Sequence, residues 1–281
     1  DNIPVKQNET HLIYYYLPDK YRNSSFNKES FWKFVMPFIS LISANVHCLD
    51  LRYVDAITNV SALANFNHLN LSYCSNITDV SALGNVHTLN LRDCYKITDV
   101  SDLGNVHTLN LSCCCPGESQ ITDVTALGNV HTLNLSNCDK ITDVSALGNV
   151  HTLDLSCCHK ITDVSALGNV HTLDLYECDG ITDVSALGNA HDLNLYYTQI
   201  TDVSALGNVH TINLTGCTKI TDLSALANVH TLYLSNCHKI TDVSVLSNVH
   251  TLYLSGCGGI TDKNIKLLKE RNPNIIIHGR T

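Results

Sequence analysis

The stretch Val86-His87-Thr88-Leu89-Asn90-Leu91-Arg92-Asp93-Cys94-Tyr95-Lys96-Ile97-Thr98-Asp99-Val100 decides the fold, because it recurs along most of the chain. A Ser-Ala/Asp-Leu-Gly-Asn tail follows it, here Ser101 to Asn105. The first leucine of the pattern falls at Leu49, Leu69, Leu89, Leu109, Leu133, Leu153, Leu173, Leu193, Ile212, Leu232 and Leu252. The step is 20 residues, except for 24 across Cys113 to Gln120 and 19 across Tyr196 to Gln199. Self-similarity at such a period is the signature of a stacked repeat architecture.

The chemistry of one unit follows from its pattern. Leu89-Asn90-Leu91 alternates apolar and polar, which is the period of a strand with one buried face. Asp99 before Val-Ser-Asp-Leu is a cap signal for one short helical turn, since its carboxylate can accept from free amides there. Gly104-Asn105 ends that turn. Ala64, Ala227 and Ser247 replace the glycine, so a left-handed backbone is not required at that place. Val86, Leu89, Leu91, Cys94, Ile97, Val100 and Leu103 are expected to point inward. Seven buried side chains cannot offset the entropy of ordering twenty residues, so a unit is held by stacking on its neighbours.

With its LxxLxLxxC/NxxI pattern, the array over residues 46–262 resembles the leucine-rich-repeat family, in about eleven copies. The Ile-Thr-Asp ending is similar both to the cysteine-containing repeats of F-box adaptor proteins and to the short-turn repeats of internalins. Very uniform arrays of this kind also resemble those of large DNA viruses and protists. The resemblance implies an α/β solenoid: a right-handed curved coil with a concave parallel β-sheet and short helical turns on the convex side. It also implies protein binding as the usual role.

Open ends of such a stack expose core and need covers. Residues 1–45 are expected to form an N-terminal helical cap, with helical spacing at Phe31, Phe34, Val35 and Phe38 and a kink at Pro37. An F-box-like remnant is the sharper alternative there. Residues 263–281 are expected to form the C-terminal cap: a helix from Asp262 through Arg271, then a strand at Ile275-Ile276-Ile277 beyond Pro273. Lys263, Lys266, Lys269 and Arg271 suit the wet face of that helix. Asn8-Glu9-Thr10 and Asn23-Ser24-Ser25 fit the N-glycosylation pattern, which is common by chance.

The net charge of −9 is spread evenly, which disfavours nucleic acid as a partner. No apolar run is long enough for a membrane span; the longest cluster, Phe31 to Ile42, is broken by Lys33, Pro37 and Ser40. The chain begins at Asp1 without a methionine, so what precedes it stays open.

Two rows of residue types invite chemistry. Cys74, Cys94, Cys114, Cys138, Cys158, Cys178, Cys217, Cys237 and Cys257 occupy an inward slot that Val54 and Thr198 also fill. There a thiol acts as a small apolar filler and a weak donor to neighbouring backbone. Parallel directions make disulfides unfavourable, and so many buried thiols point to the cytosol. His47, His87, His107, His131, His151, His171, His191, His210, His230 and His250 form a second row just before each strand. A metal site needs ligands converging on one point, and a straight row offers only neighbours. Edge hydrogen bonding is therefore the reading, with loosening on acidification as a hypothesis. Cys113, Cys115, Cys157 and His159 match no zinc spacing. No cofactor, metal or catalytic residue is assigned, and the chain is read as no enzyme: each Ser, His and Asp that could be drawn into a triad is explained by repetition.

Departures from the repeat are then the candidates for recognition. The sheet face is a bland Thr-Asn-Ser surface, such as Thr132, Asn134 and Ser136, except in two zones. The first carries Arg52, Tyr53, His68, Tyr73, Arg92 and Asp93. The second, preferred as the partner-binding patch, carries Asp174, Tyr176, Glu177, Asp192, Tyr196, Tyr197, Tyr233 and Tyr253. Tyrosine buries large area at little entropy cost. Acidic neighbours favour a basic or amphipathic protein partner. The function expected is a cytoplasmic protein–protein interaction module, an adaptor or effector. The alternatives are an internalin-like surface or secreted adhesin, and self-association.

Overall fold

The computed structural model describes residues 5–7, 13–16 and 47–279. The chain divides into two compact units, Asp1–Ile141 and Thr142–Thr281. The helix expected around Phe31 to Phe38 lies outside the described residues.

In the first unit β1 (Val5–Gln7) and β2 (Ile13–Tyr16) form an antiparallel hairpin, and β2 pairs in parallel with β3 (Cys48–Asp50). Strands β4 (His68–Asn70), β5 (Thr88–Asn90), β6 (Thr108–Asn110) and β7 (Thr132–Asn134) continue the parallel series. Register is leucine on leucine, and the longer step is absorbed without a slip, because Leu109 still faces Leu133. A one-residue slip would turn the buried leucines to solvent, so the core fixes the register.

The second unit holds seven described strands, all parallel: β8 (Thr152–Asp154), β9 (Thr172–Asp174), β10 (Asp192–Asn194), β11 (Thr211–Asn213), β12 (Thr231–Tyr233), β13 (Thr251–Tyr253) and β14 (Ile276–His278). The shorter step is absorbed too, with Leu193 opposite Ile212. Between β13 and β14 runs an α-helix, Asp262–Arg271, whose first turn is closed by a capping box of Thr261 and Asn264. Lys263, Lys266, Lys269 and Arg271 are exposed, as a wet helix face requires, and the Arg271 guanidinium donates to the Ser244 carbonyl at 3.1 Å.

Opposite the sheet, the short turns are 3-10 helices such as Ser101–Asn105, except over 244–248, where the chain makes plain turns. The expected aspartate cap is present, one residue ahead of the formal cap position. Asp99 Oδ1 accepts from the Ser101 amide at 2.9 Å, and Asp183 does the same for Ser185. Gly104 has a different task from the one read in the sequence. The backbone there is not left-handed, but an added Cβ would lie 2.4 Å from the Ala126 carbonyl oxygen, so glycine admits the next turn. The left-handed residue comes earlier, two positions past the second strand leucine. It is Asp93 (φ 60) in the first unit and Glu177 (φ 54) and Tyr197 (φ 57) in the second.

All seven expected inward positions of the quoted unit are buried, from Leu103 at 0% exposure to Cys94 at 5%. The ladder thiols donate to the second strand leucine of the unit before. Cys94 Sγ reaches the Leu71 carbonyl at 3.2 Å and Cys178 Sγ the Leu155 carbonyl at 3.1 Å. Burial pushes the Cys74, Cys178 and Cys237 thiols up to about 12, so they stay protonated donors. Cys114 corrects the ladder as read from spacing: it is exposed. The four extra residues carry the chain outward there, and Ser119 fills the inward slot, its Oγ 3.5 Å from Cys138 Sγ.

Candidate functional site

Beside the column through Thr172 and Asp192, the second unit presents three further columns of side chains on the solvent side of its sheet. Residue 174 stands in the strand itself, residue 176 just past it, and residue 177 at the left-handed corner. The column through residue 174 is Asp154, Asp174, Asn194, Asn213, Tyr233, Tyr253 and His278, in strand register. Most members share a local duty. Their side-chain oxygen accepts from the amide two residues on and bends the chain out of the strand, as Asp174 Oδ1 does for Tyr176 N at 2.8 Å. Tyr233 and Tyr253 cannot do this.

Six of the eight candidate residues separate into three groups, and Asp174 and Glu177 lie beside the first, each bonded to Tyr176. Tyr176, Tyr196 and Tyr197 come together: the first two rings stack at 5.0 Å, and Tyr196 meets Tyr197 edge-on at 4.5 Å. Tyr233 stacks on Tyr253 at 4.3 Å, and Tyr253 on His278 at 4.6 Å. His278 was missed because the terminal strand follows no repeat, so sequence spacing could not place it in the column. The third group is Asp192, which turns to His191, with Oδ2 3.2 Å from Nδ1.

Tyr197 is 41% exposed in spite of its left-handed backbone. Gly216 makes room for it. A Cβ on Gly216 would lie 2.6 Å from the Tyr197 ring, and φ there is +75°, so glycine is required twice over. The carboxylates are engaged but not neutralised. Glu177 Oε1 accepts from the Tyr176 hydroxyl at 2.8 Å, which pushes that phenol up to about 12. Asp174 takes two bonds from Asn194 Nδ2, at 3.1 and 3.0 Å, while burial raises its carboxyl pKa. Among the described residues no lysine or arginine pairs with Asp174, Glu177 or Asp192.

In the first unit Tyr53 and Tyr73 stack at 4.5 Å, flanked by arginines that are paired. Arg52 bonds Asp50, and Arg92 Nε lies 3.2 Å from Asp93 Oδ2. His68 stands apart from these pairs and leans toward His87, ring centroids 5.7 Å apart.

Within each unit the histidine side chains stack on one another rather than bonding to the edge backbone, while their main chain forms the ladder, as His107 N to His87 O at 3.1 Å. Centroids lie 4.6 Å apart at 9° between His87 and His107, and 4.7 Å at 8° between His171 and His191. Where a threonine follows, Nδ1 lies against its hydroxyl, at 3.2 Å for His107 and 3.1 Å for His230; at His191 the following residue is Asp192. Desolvation and the neighbouring rings hold His107 and His230 below the ordinary histidine range. Sequence spacing could align these rings but not orient them; the threonine that orients them was visible and unread.

Comparison with known proteins bears on the scaffold. Residues 129–148 and 149–168 match the family model described as Leucine Rich repeat. Among curated proteins no sequence matches. Among solved structures the chain is similar to the functional domain of InlJ from Listeria monocytogenes, described as including a cysteine ladder, at 20% identity and a TM-score of 0.51. That likeness covers 85% of this chain and 63% of the InlJ chain. It is also similar to TLR13 in a complex with a single-stranded RNA, at 17% identity and a TM-score of 0.53, over 86% of this chain and 44% of that one. The internalin InlF of Listeria monocytogenes aligns at 23% identity over 86% of this chain and 87% of its own, with a TM-score of 0.44. The chain thus spans under two thirds of the InlJ and TLR13 chains. No helix among the described residues is long and apolar enough to cross a membrane. Repeat pattern, leucine-on-leucine register and inward thiols agree with the two matched repeats at 129–168 and with the likeness to InlJ and TLR13: the repeats have the leucine-rich-repeat fold.

Proposed function

We propose that this chain is a non-catalytic protein-interaction scaffold, an adaptor or effector, that docks its partner on the sheet face of the second unit. One observation carries the reading. Tyr176, Tyr196 and Tyr197 form a packed aromatic cluster on a face where most repeats hold Thr, Asn and Ser, beside Asp174 and Glu177, which no lysine or arginine pairs among the described residues. Rings already stacked lose little freedom on binding, and unpaired negative charge selects a basic or amphipathic surface. Tyr233, Tyr253 and His278 extend the contact.

The test is affinity capture from a lysate of the source cells, then titration of the captured protein against pure chain. Replacing Tyr176, Tyr196 and Tyr197 together by Ser abolishes the interaction at an unchanged fold; binding retained by that variant discards the patch. The thirteen cysteines, ten of them buried, support a reducing compartment, the cytoplasm. Thiol titration of the natively produced chain under denaturing conditions checks this: about thirteen reactive groups are expected, and few would support a secreted adhesin instead.

A further inference from the structure

We propose that His171, His191 and Asp192 form a binding site for a divalent transition-metal ion of the Zn²⁺ class. Each offers one ligand atom, and these atoms all lie within 4.8 Å of one another. The site arises where the repeat breaks. Threonine occupies the position after the histidine at Thr152, Thr172, Thr211, Thr231 and Thr251, and there it holds Nδ1 with a hydroxyl. At Asp192 a carboxylate stands in its place, 3.2 Å from His191 Nδ1. A row that otherwise offers only neighbouring imidazoles gains a third donor of a different kind, and it carries the negative charge that offsets a dication.

The donor chemistry fits. Two imidazole nitrogens and one carboxylate oxygen suit Zn²⁺, Ni²⁺ and Cu²⁺, while hard ions such as Mg²⁺ prefer oxygen alone. Both histidines are exposed and Asp192 is half-buried, so the ion arrives from solvent and water completes its shell. His191 Nδ1 and Asp192 Oδ2, 3.2 Å apart, already suit two bonds of about 2.0–2.2 Å to one ion, so it is the His171 ring that tilts to complete the set. An exposed ring with solvent beside it can do so. Asp192, tied to His191 on the same strand edge, is the fixed point it turns toward.

The experiment is calorimetric titration of the whole chain with ZnCl₂, with Cu²⁺ electron paramagnetic resonance as a second readout. The unaltered chain takes up one equivalent at least tenfold more tightly than the remaining histidines do. Asp192→Thr, which installs the residue other units carry, reduces that equivalent to the level of the rest with the same melting temperature. His191→Gln does likewise, whereas His230→Gln leaves it in place, and the Cu²⁺ spectrum shows two nitrogen donors. Equal Zn²⁺ binding by Asp192→Thr and the unaltered chain overturns the site. So does the absence of a tight equivalent, or a loss as large in His230→Gln as in His191→Gln.

Discussion

The first and second units use one scaffold to present two different surfaces. Both stack tyrosines beside charge: Tyr53 on Tyr73 in the first, and Tyr176 on Tyr196 with Tyr197 in the second. In the first, Arg52 and Arg92 are spent on Asp50 and Asp93. In the second, Asp174 is held by Asn194 and Glu177 by a phenol, so the negative charge remains. The lesson is that repeat position decides where a side chain points, while the pairing of its neighbours decides what it offers. Two surfaces that both carry stacked tyrosines differ in the charge left over.

The scaffold half of that comparison carries the largest expected effects. Leu89 in the first unit and Leu173 in the second are each 1% exposed in the same strand slot. Their replacement by Ala should each cost about 2–5 kcal/mol of stability, read by denaturant unfolding. A difference much beyond that spread would break the equivalence of the two units.

Charge is the next test. With the captured partner in hand, Asp174→Asn plus Glu177→Gln should lower the association rate roughly tenfold at low salt and flatten its salt dependence. Arg52→Gln plus Arg92→Gln should leave that rate unchanged. Equal effects from both pairs would remove the distinction between the surfaces.

Gly216→Ala probes the second unit alone. It places a side chain at φ +75° against the Tyr197 ring and should cost about 1–3 kcal/mol, with weaker partner binding as the ring is displaced. A stable variant that binds normally would separate the glycine from the patch.

Acidification is expected to act on both units through the stacked histidines. Histidine pKa values held below 6.5 in the fold, as for His68, His107 and His230, mean that the unfolded chain takes up protons first. That stability is present in full above the unfolded value and is lost as pH falls through it toward the folded values. The melting temperature should therefore drop between pH 7.5 and 5.5; a constant value would count against the stack as a pH-sensitive element. The capping aspartates add a second loss further down. Serine amides hold Asp99 and Asp183 below the usual carboxylate value of 3.8, so their contribution disappears only as pH falls through the lowered values.

The smallest effect is a pattern of labelling in the folded chain. Cys114 and Cys115 in the first unit are exposed and Cys157 in the second is half-buried, whereas the other ten thiols are buried. Alkylation followed by peptide mapping should find only those three modified before unfolding, and slowly at Cys114, whose thiol is pushed up to about 12. Rapid modification of Cys178 or Cys237 would show a looser second unit.

The sequence alone determined the unit, its length, its inward positions and the place of each turn. Leu, Val, Ile and Cys at fixed intervals leave a chain one way to bury them, and stacking repeats that solution. It also marked where the pattern breaks, at Tyr176, Tyr196, Tyr197, Asp192 and the insertion after Cys113. Only the tertiary structure decided what those breaks do, because each outcome depends on a residue one unit away. Cys114 is expelled and Ser119 takes its slot because the sheet register is kept and the extra chain has to leave. Gly216, 19 residues beyond Tyr197, is what lets that ring come so close to the neighbouring backbone. Asp192 meets two imidazoles because adjacent strands bring His171 and His191 side by side. Spacing records which residues recur; distance across the sheet settles which of them meet.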